Sequence, residues 1–254
     1  MPPAMRALTL SLAIAGLVAC LPPSIIFLET ATAQTNPARK AEADSLLKQG
    51  NELTDRGEFQ KGIPMLEEAL KIYRSIGDRQ REALSLNSLG NAYGNLGQYQ
   101  RAVESHQQAI AIYRQIGDRK WEANSLNSLG GVYYNLGQYQ RAMEFAKQAL
   151  AIYRQIGDRQ GEANSLYNLG VAYNNSGQYQ RAIEFHQQAL AIYRQIGDRK
   201  WEANSLNSLG VAYNNSGQYQ RAIEFHQQAL AIYRQIGDRQ GGSPIPRQFE
   251  GSIP

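Results

Sequence analysis

Cysteine is all but absent from this 254-residue chain, the single example being Cys20. It lies in an N-terminal stretch that reads as a removable leader. Without that leader no thiol remains, which excludes disulfides, zinc–cysteine sites and cysteine nucleophiles. Runs of one charge are also missing. The formal charge is +4, but basic residues recur singly in loops such as GDRK beside an aspartate, so the excess reads as solvated surface and offers nucleic acid no basic stripe. Signatures of catalysis are absent too: there is no GxxxxGK[ST], no GxGxxG after a strand, no HExxH and no GxSxG. The pair Glu67–Glu68 falls on a helix surface, where solvated charge is the ordinary explanation. The sequence therefore points away from an enzyme and implies no cofactor. With 43% hydrophobic and 19% charged residues, it fits neither an acidic disordered tail nor a membrane-embedded chain.

The first 33 residues differ from the rest. One basic residue, Arg6, precedes an apolar run from Ala7 to Ala19, and Ala31-Thr32-Ala33 supplies the small residues of a signal-peptidase site. This predicts a signal peptide over 1–33, a mature start at Gln34, and an exported protein, periplasmic or extracellular. Two other readings stay open. Leu17 to Cys20, LVAC, resembles a bacterial lipobox, whose lipidated Cys20 would hold the protein at a membrane. An uncleaved anchor is the other, although Pro22-Pro23 interrupts the helix that a spanning segment needs.

What the chain has in abundance is repetition. The stretch LGVAYNNSGQYQRA stands at 169–182 and again, unchanged, at 209–222. Leu-Gly pairs recur at 89–90, 129–130, 169–170 and 209–210, and Gly50 falls one period of forty upstream. Five units follow, about 38–80, 81–120, 121–160, 161–200 and 201–240, a spacing that signals a solenoid. The last two units differ only at Gly161/Trp201, Tyr167/Asn207, Asn168/Ser208 and Lys200/Gln240, for which recent duplication is a sufficient cause.

Within unit 201–240, Ala203, Leu206, Leu209, Gly210 and Tyr213 share one side of a first helix. Gly217 supplies the positive φ that ends it. Ala222, His226, Ala229 and Tyr233, with Ile223 and Leu230 beside them, repeat the helical spacing up to IGD. There the glycine closes the second helix and the aspartate caps the next, with Glu122, Glu162 or Glu202 near its positive end. Each unit is thus a helical hairpin. Gly210 and Ala222 leave room for its two helices to approach closely.

The slots L-G-x-x-Y, the turn glycine, the alanine five residues on and another seven later resemble the tetratricopeptide repeat. The likeness covers about residues 38–240. It implies an all-α, right-handed superhelical solenoid of five helical hairpins that binds a protein or extended peptide. Forty residues and an IGDR turn, instead of 34 residues and a proline, resemble the long units of kinesin light chains and of G-protein-signalling modulators. The wording GDRQGEANSLYNLG at 157–170 is also similar to cyanobacterial exported repeat proteins that continue into a caspase-like (CHAT) peptidase domain. On that alternative the chain is the recognition arm of a peptidase system.

The resemblance implies that the free strip of each first helix lines a concave groove. Its residues are Asn204, Asn207, Val211, Asn214 and Asn215, then Asn164, Tyr167, Val171, Asn174 and Asn175. Earlier units place Asn124, Asn127, Gly131, Tyr134 and Asn135, then Asn87, Asn91 and Asn95, in the same slots. A ladder of amides, each offering donors and an acceptor, suits the backbone of an extended peptide; plain solvation of a helix surface is the competing explanation.

His106, His186 and His226 occupy one repeat slot. Equivalent slots in adjacent layers lie roughly 10 Å apart, whereas zinc ligands sit about 2 Å from the metal, so the three cannot share an ion. Leu66 and Ala146 take the slot elsewhere, which makes packing the expected role. Trp121 and Trp201 are expected to pack against the preceding IGD corner. After Gln240 the chain reads GGSPIPRQFEGSIP, without helical period, so 241–254 is expected as a disordered tail. That leaves the second helix of the last unit uncapped, with truncation of a longer gene, self-association and fraying as competing accounts.

Overall fold

The computed structural model describes residues 23–238. Cys20, most of the expected leader and the tail 241–254 lie outside the described residues. Among the described residues ten α-helices form five consecutive hairpins: α1 (Pro23–Asp55) with α2 (Phe59–Ile76), α3 (Arg79–Asn95) with α4 (Tyr99–Ile116), α5 (Arg119–Asn135) with α6 (Tyr139–Ile156), α7 (Arg159–Asn175) with α8 (Tyr179–Ile196), and α9 (Arg199–Asn215) with α10 (Tyr219–Gln235). No strand occurs among the described residues. The helix α1 runs through Ala33–Gln34, so no break in the backbone marks the expected leader junction. No helix among the described residues is long and apolar enough to cross a membrane.

Glycine sets the punctuation. Every twenty residues, from Gly57 to Gly237, a glycine holds a φ between 70° and 80°, a conformation that costs other residues a Cβ clash. At Gly77 this closes α2 in a Schellman turn, the Asp78 N–H donating to the Tyr73 carbonyl at 3.0 Å. Asp78 then turns from closing one helix to opening the next, its carboxylate accepting from the Arg81 N–H at 3.1 Å. Asp118, Asp158 and Asp198 cap α5, α7 and α9 in the same way. Turns inside a hairpin have the glycine but no side-chain cap, as at Gln98 and Gln138. The hairpins therefore begin just before the divisions expected at 80, 120, 160 and 200.

The core is one continuous seam. Leu206 and Leu209 are 1% and 0% exposed, and burial of such a side chain contributes roughly 1.5–3 kcal/mol. Alanines at 69, 109, 149, 189 and 229 sit at 0–1% exposure where layers meet. Inside each of the last three hairpins a tyrosine of the first helix stacks on a phenylalanine of the second: Tyr133–Phe145, Tyr173–Phe185 and Tyr213–Phe225, with ring centres 5.1–5.3 Å apart. The guanidinium of Arg141, Arg181 or Arg221 lies over the tyrosine ring. Close approach of the paired helices takes the form expected from Gly210, because a Cβ there would sit 2.6 Å from the His226 ring. On the far side of α10, Ile223 and Leu230 are half-buried, whereas their counterparts Ile183 and Leu190 are covered.

Candidate functional site

The first helices of successive hairpins touch one another, α1 with α3, α3 with α5, α5 with α7 and α7 with α9, while no two second helices come into comparable contact. The stack is therefore tighter along its odd-numbered helices. They form the inner wall and the even-numbered helices the outer one.

The expected amide ladder divides on this wall into three sets. Asn91, Asn95 and Asn135 are exposed. Asn175 and Asn215, also exposed, end their helices, Asn175 bonding back to the Val171 carbonyl and Asn215 reaching across to Asn174. A second set is half-buried and spent inside the hairpin. The hydroxyls of Tyr153, Tyr193 and Tyr233 donate to the amide oxygens of Asn124, Asn164 and Asn204, in each case 29 residues back. Tyr73 finds Asp44 at that spacing, but the residue 29 before Tyr113 is Leu84, and the buried Tyr113 hydroxyl has no partner.

The third set is Asn87, Asn127 and Asn207, of which the first two join layers and Asn207 stays within its hairpin. Asn127 exchanges hydrogen bonds with Ser165 of the next hairpin at 3.0 and 3.2 Å. Asn207 meets His226 Nδ1 at 2.9 Å. Asn87 requires a correction. It is buried, not free on the groove, because its Oδ1 faces His106 Nδ1 at 3.1 Å and accepts from the Ser125 hydroxyl at 3.0 Å. Tyr167 interrupts this seam: Ser205, which has no asparagine opposite it, keeps an unpartnered hydroxyl. The Tyr167 ring instead meets His186 and Trp201 edge-on at 5.3 and 5.1 Å, and its hydroxyl accepts from Ser208.

The histidines pack. His106 and His186 are buried, and desolvation of the charged form pushes their pKa values down to about 4. Trp121 and Trp201 stack on Tyr113 and Tyr193 at the preceding corner, 6.1 and 5.8 Å away. No grouping of three metal-ligating side chains occurs among the described residues.

Two features were not anticipated. Glu82, Glu122, Glu162 and Glu202 are buried, each gripped by two arginines. Arg114 Nε, at the end of one hairpin, donates to Glu122 Oε1 at 2.6 Å and Arg119 holds the other oxygen. The pattern EA after GDR, repeated every forty residues with an arginine eight positions upstream, was the available signal. The other is a cavity of about 260 Å³ in the inner wall, reaching from Asn168, Tyr134 and Tyr167 down to Gly130 and Ala146. A second, of about 360 Å³, adjoins it through Asn127, Tyr167 and Asn168 and extends to Trp201.

The sequence matches the family model described as tetratricopeptide repeat over residues 42–115, 96–155 and 161–235, more than half of the chain. The chain belongs to the tetratricopeptide repeat family. No curated protein matches it in sequence. Solved tetratricopeptide-type folds similar to it include a Podosopora anserina kinesin-light-chain-type protein with nearly identical TPR-like repeats, at 26% identity and a TM-score of 0.66, covering 78% of this chain and 97% of that one. BtubC (BKLC) of P. vanneervenii is 23% identical with a TM-score of 0.71, covering 86% and 89%. A Rap protein complexed with competence and sporulation factor is 19% identical with a TM-score of 0.69, covering 79% of this chain and 56% of that one. At these identities the last two likenesses establish the fold.

Proposed function

We propose that this tetratricopeptide repeat protein is a non-enzymatic scaffold that binds an extended protein segment along the inner wall of α3, α5, α7 and α9. The observation that carries the reading is the set of amides left uncommitted there: Asn91, Asn135 and Asn168 are exposed and no side chain of the stack satisfies them. Such groups bond a backbone without demanding one sequence, and solenoids offer extended concave surfaces for binding. That a Rap protein of similar fold was solved with competence and sporulation factor supports the same reading.

Selection of peptides from a displayed random library against the full chain tests it. Peptides so obtained should bind the triple variant Asn91→Ala, Asn135→Ala and Asn168→Ala at least tenfold more weakly, since three hydrogen bonds are lost at about 0.5–1.5 kcal/mol each. Equal binding by the variant would contradict the wall as the site.

Export belongs to the same proposal and rests on the leader-like residues 1–33. The mass of the mature protein separates a start at Gln34 from a lipidated Cys20 or an intact leader.

A further inference from the structure

The repeat supplies its own comparison for the 260 Å³ cavity. In three layers a histidine lies flat against the glycine of the Leu-Gly pair: a Cβ on Gly90, Gly170 or Gly210 would come within 2.6 Å of the ring of His106, His186 or His226. In the layer of α5 and α6 the slot holds Ala146, and the atom nearest a Cβ on Gly130 is the Ala142 carbonyl oxygen, 3.2 Å away. A ring is missing from this layer alone among the last four. The neighbouring wall position has shrunk as well, for Gly131 stands where α7 and α9 carry Val171 and Val211, and a Cβ on it would meet nothing within 4 Å. The result is a pocket floored by Gly130 and Ala146, open toward the inner wall.

We infer that this pocket is a binding site for one aromatic ring, brought in as the side chain of the peptide that lies along the inner wall. The inference rests on the proposed function for how the ring arrives. The ring itself is suggested by the two layers that flank this one, where His106 and His186 fill the same place. In the first layer Leu66 takes the place against Gly50, with Leu47 at the position of Asn127; where Asn87 and Asn207 stand at that position, the occupant is a planar ring. Size agrees, since a dry cavity of about 150 Å³ accommodates benzene and this one is about 260 Å³. Polar atoms agree too. Asn127 lines the pocket at the position from which Asn87 and Asn207 hold the histidine Nδ1 at 3.1 and 2.9 Å; its Oδ1 accepts from Ser165, as that of Asn87 accepts from Ser125, and has a second lone pair for a ring hydroxyl or ring N–H. Tyr134 and Tyr167 supply aromatic walls, a surface on which rings pack with offset or edge geometry. Val171, Ala142 and Ala172 complete an apolar lining.

The test uses p-cresol, the tyrosine side chain without its backbone, titrated against the full chain by ligand-observed NMR. Two variants close the pocket. Ala146→His installs the ring the sister layers carry, and Gly131→Val installs the residue of α7 and α9. Binding of p-cresol at one site, weakened at least tenfold by either variant, is the expected result. A second arm repeats the peptide selection with wild type and with Ala146→His. Wild type should enrich peptides bearing tyrosine, histidine or phenylalanine, and the variant should not. Absence of p-cresol binding, binding that both variants leave unchanged, or equal aromatic content in the two selections would overturn the inference. Loss of the wall reading has a different signature: p-cresol bound and displaced as expected, with no peptide that depends on Asn91, Asn135 and Asn168.

Discussion

A single hydroxyl shows how far the repeat is enforced. Tyr193 donates to Asn164 at 2.7 Å, while Tyr113, in the same slot two layers earlier, has a leucine, Leu84, at the asparagine's position and keeps a buried hydroxyl unpaired. Removing a satisfied hydroxyl loses a hydrogen bond of about 0.5–1.5 kcal/mol, and removing an unsatisfied one relieves a desolvation cost. Tyr193→Phe should therefore destabilise the protein by about 1 kcal/mol in urea titrations. Tyr113→Phe should leave it unchanged or more stable. The buried histidines give a residue-scale prediction in pH. Their folded pKa values of about 4 lie below the unfolded value of roughly 6.5, so between those limits the unfolded chain binds protons that the folded chain refuses. Stability is complete above about pH 6.5 and falls as pH drops toward 4, by on the order of 3 kcal/mol for each histidine. Thermal melts at pH 7 and pH 4.5 should show the loss. It should shrink in the double variant His106→Leu and His186→Leu, because Leu66 already fills this slot in the first layer.

At the scale of helices, the joint between hairpins is the buried glutamate. Glu122 ties the end of α4, through Arg114, to the start of α5, through Arg119. Both arginines remain about half exposed while the Glu122 side chain is 2% exposed. Glu122→Gln should thus cost about 2 kcal/mol, the range of hydrogen bonds to charged groups. That is less than the 3–5 kcal/mol for stranding a fully buried charge, since water can reach the abandoned arginines. Hydrogen exchange should localise the loss to α4 and α5.

The helices themselves were legible in the sequence because their determinants are local and repeated: Leu206, Leu209 and Tyr213 on one face, Gly217 at the turn, Gly197-Asp198 at the joint. The freedom of each asparagine was not. Asn87, Asn124 and Asn127 look alike on a helical wheel, yet their partners lie 19, 29 and 38 residues away, across a hairpin or a layer. Only the geometry of the stack separates a committed amide from a free one. Pocket and glutamate joint escaped for a related reason, as each is a property of facing slots and not of a segment.

The whole molecule is a stack in which each hairpin is covered by its neighbours, the defining economy of a solenoid. Its inner wall is built from the one helix of each pair that does not carry the outer surface, and its chemistry is neutral and amide-rich, interrupted by the ring-shaped gap between Gly130 and Ala146. That combination suits a backbone held by amides with one side chain inserted. The most direct test is a map of amide chemical-shift changes in the full chain on addition of a peptide selected against it. The account predicts changes concentrated in α3, α5 and α7, centred on Asn91, Asn135 and Asn168. Changes confined to the even-numbered helices, or to the half-buried flank of α10 around Ile223 and Leu230, would contradict it.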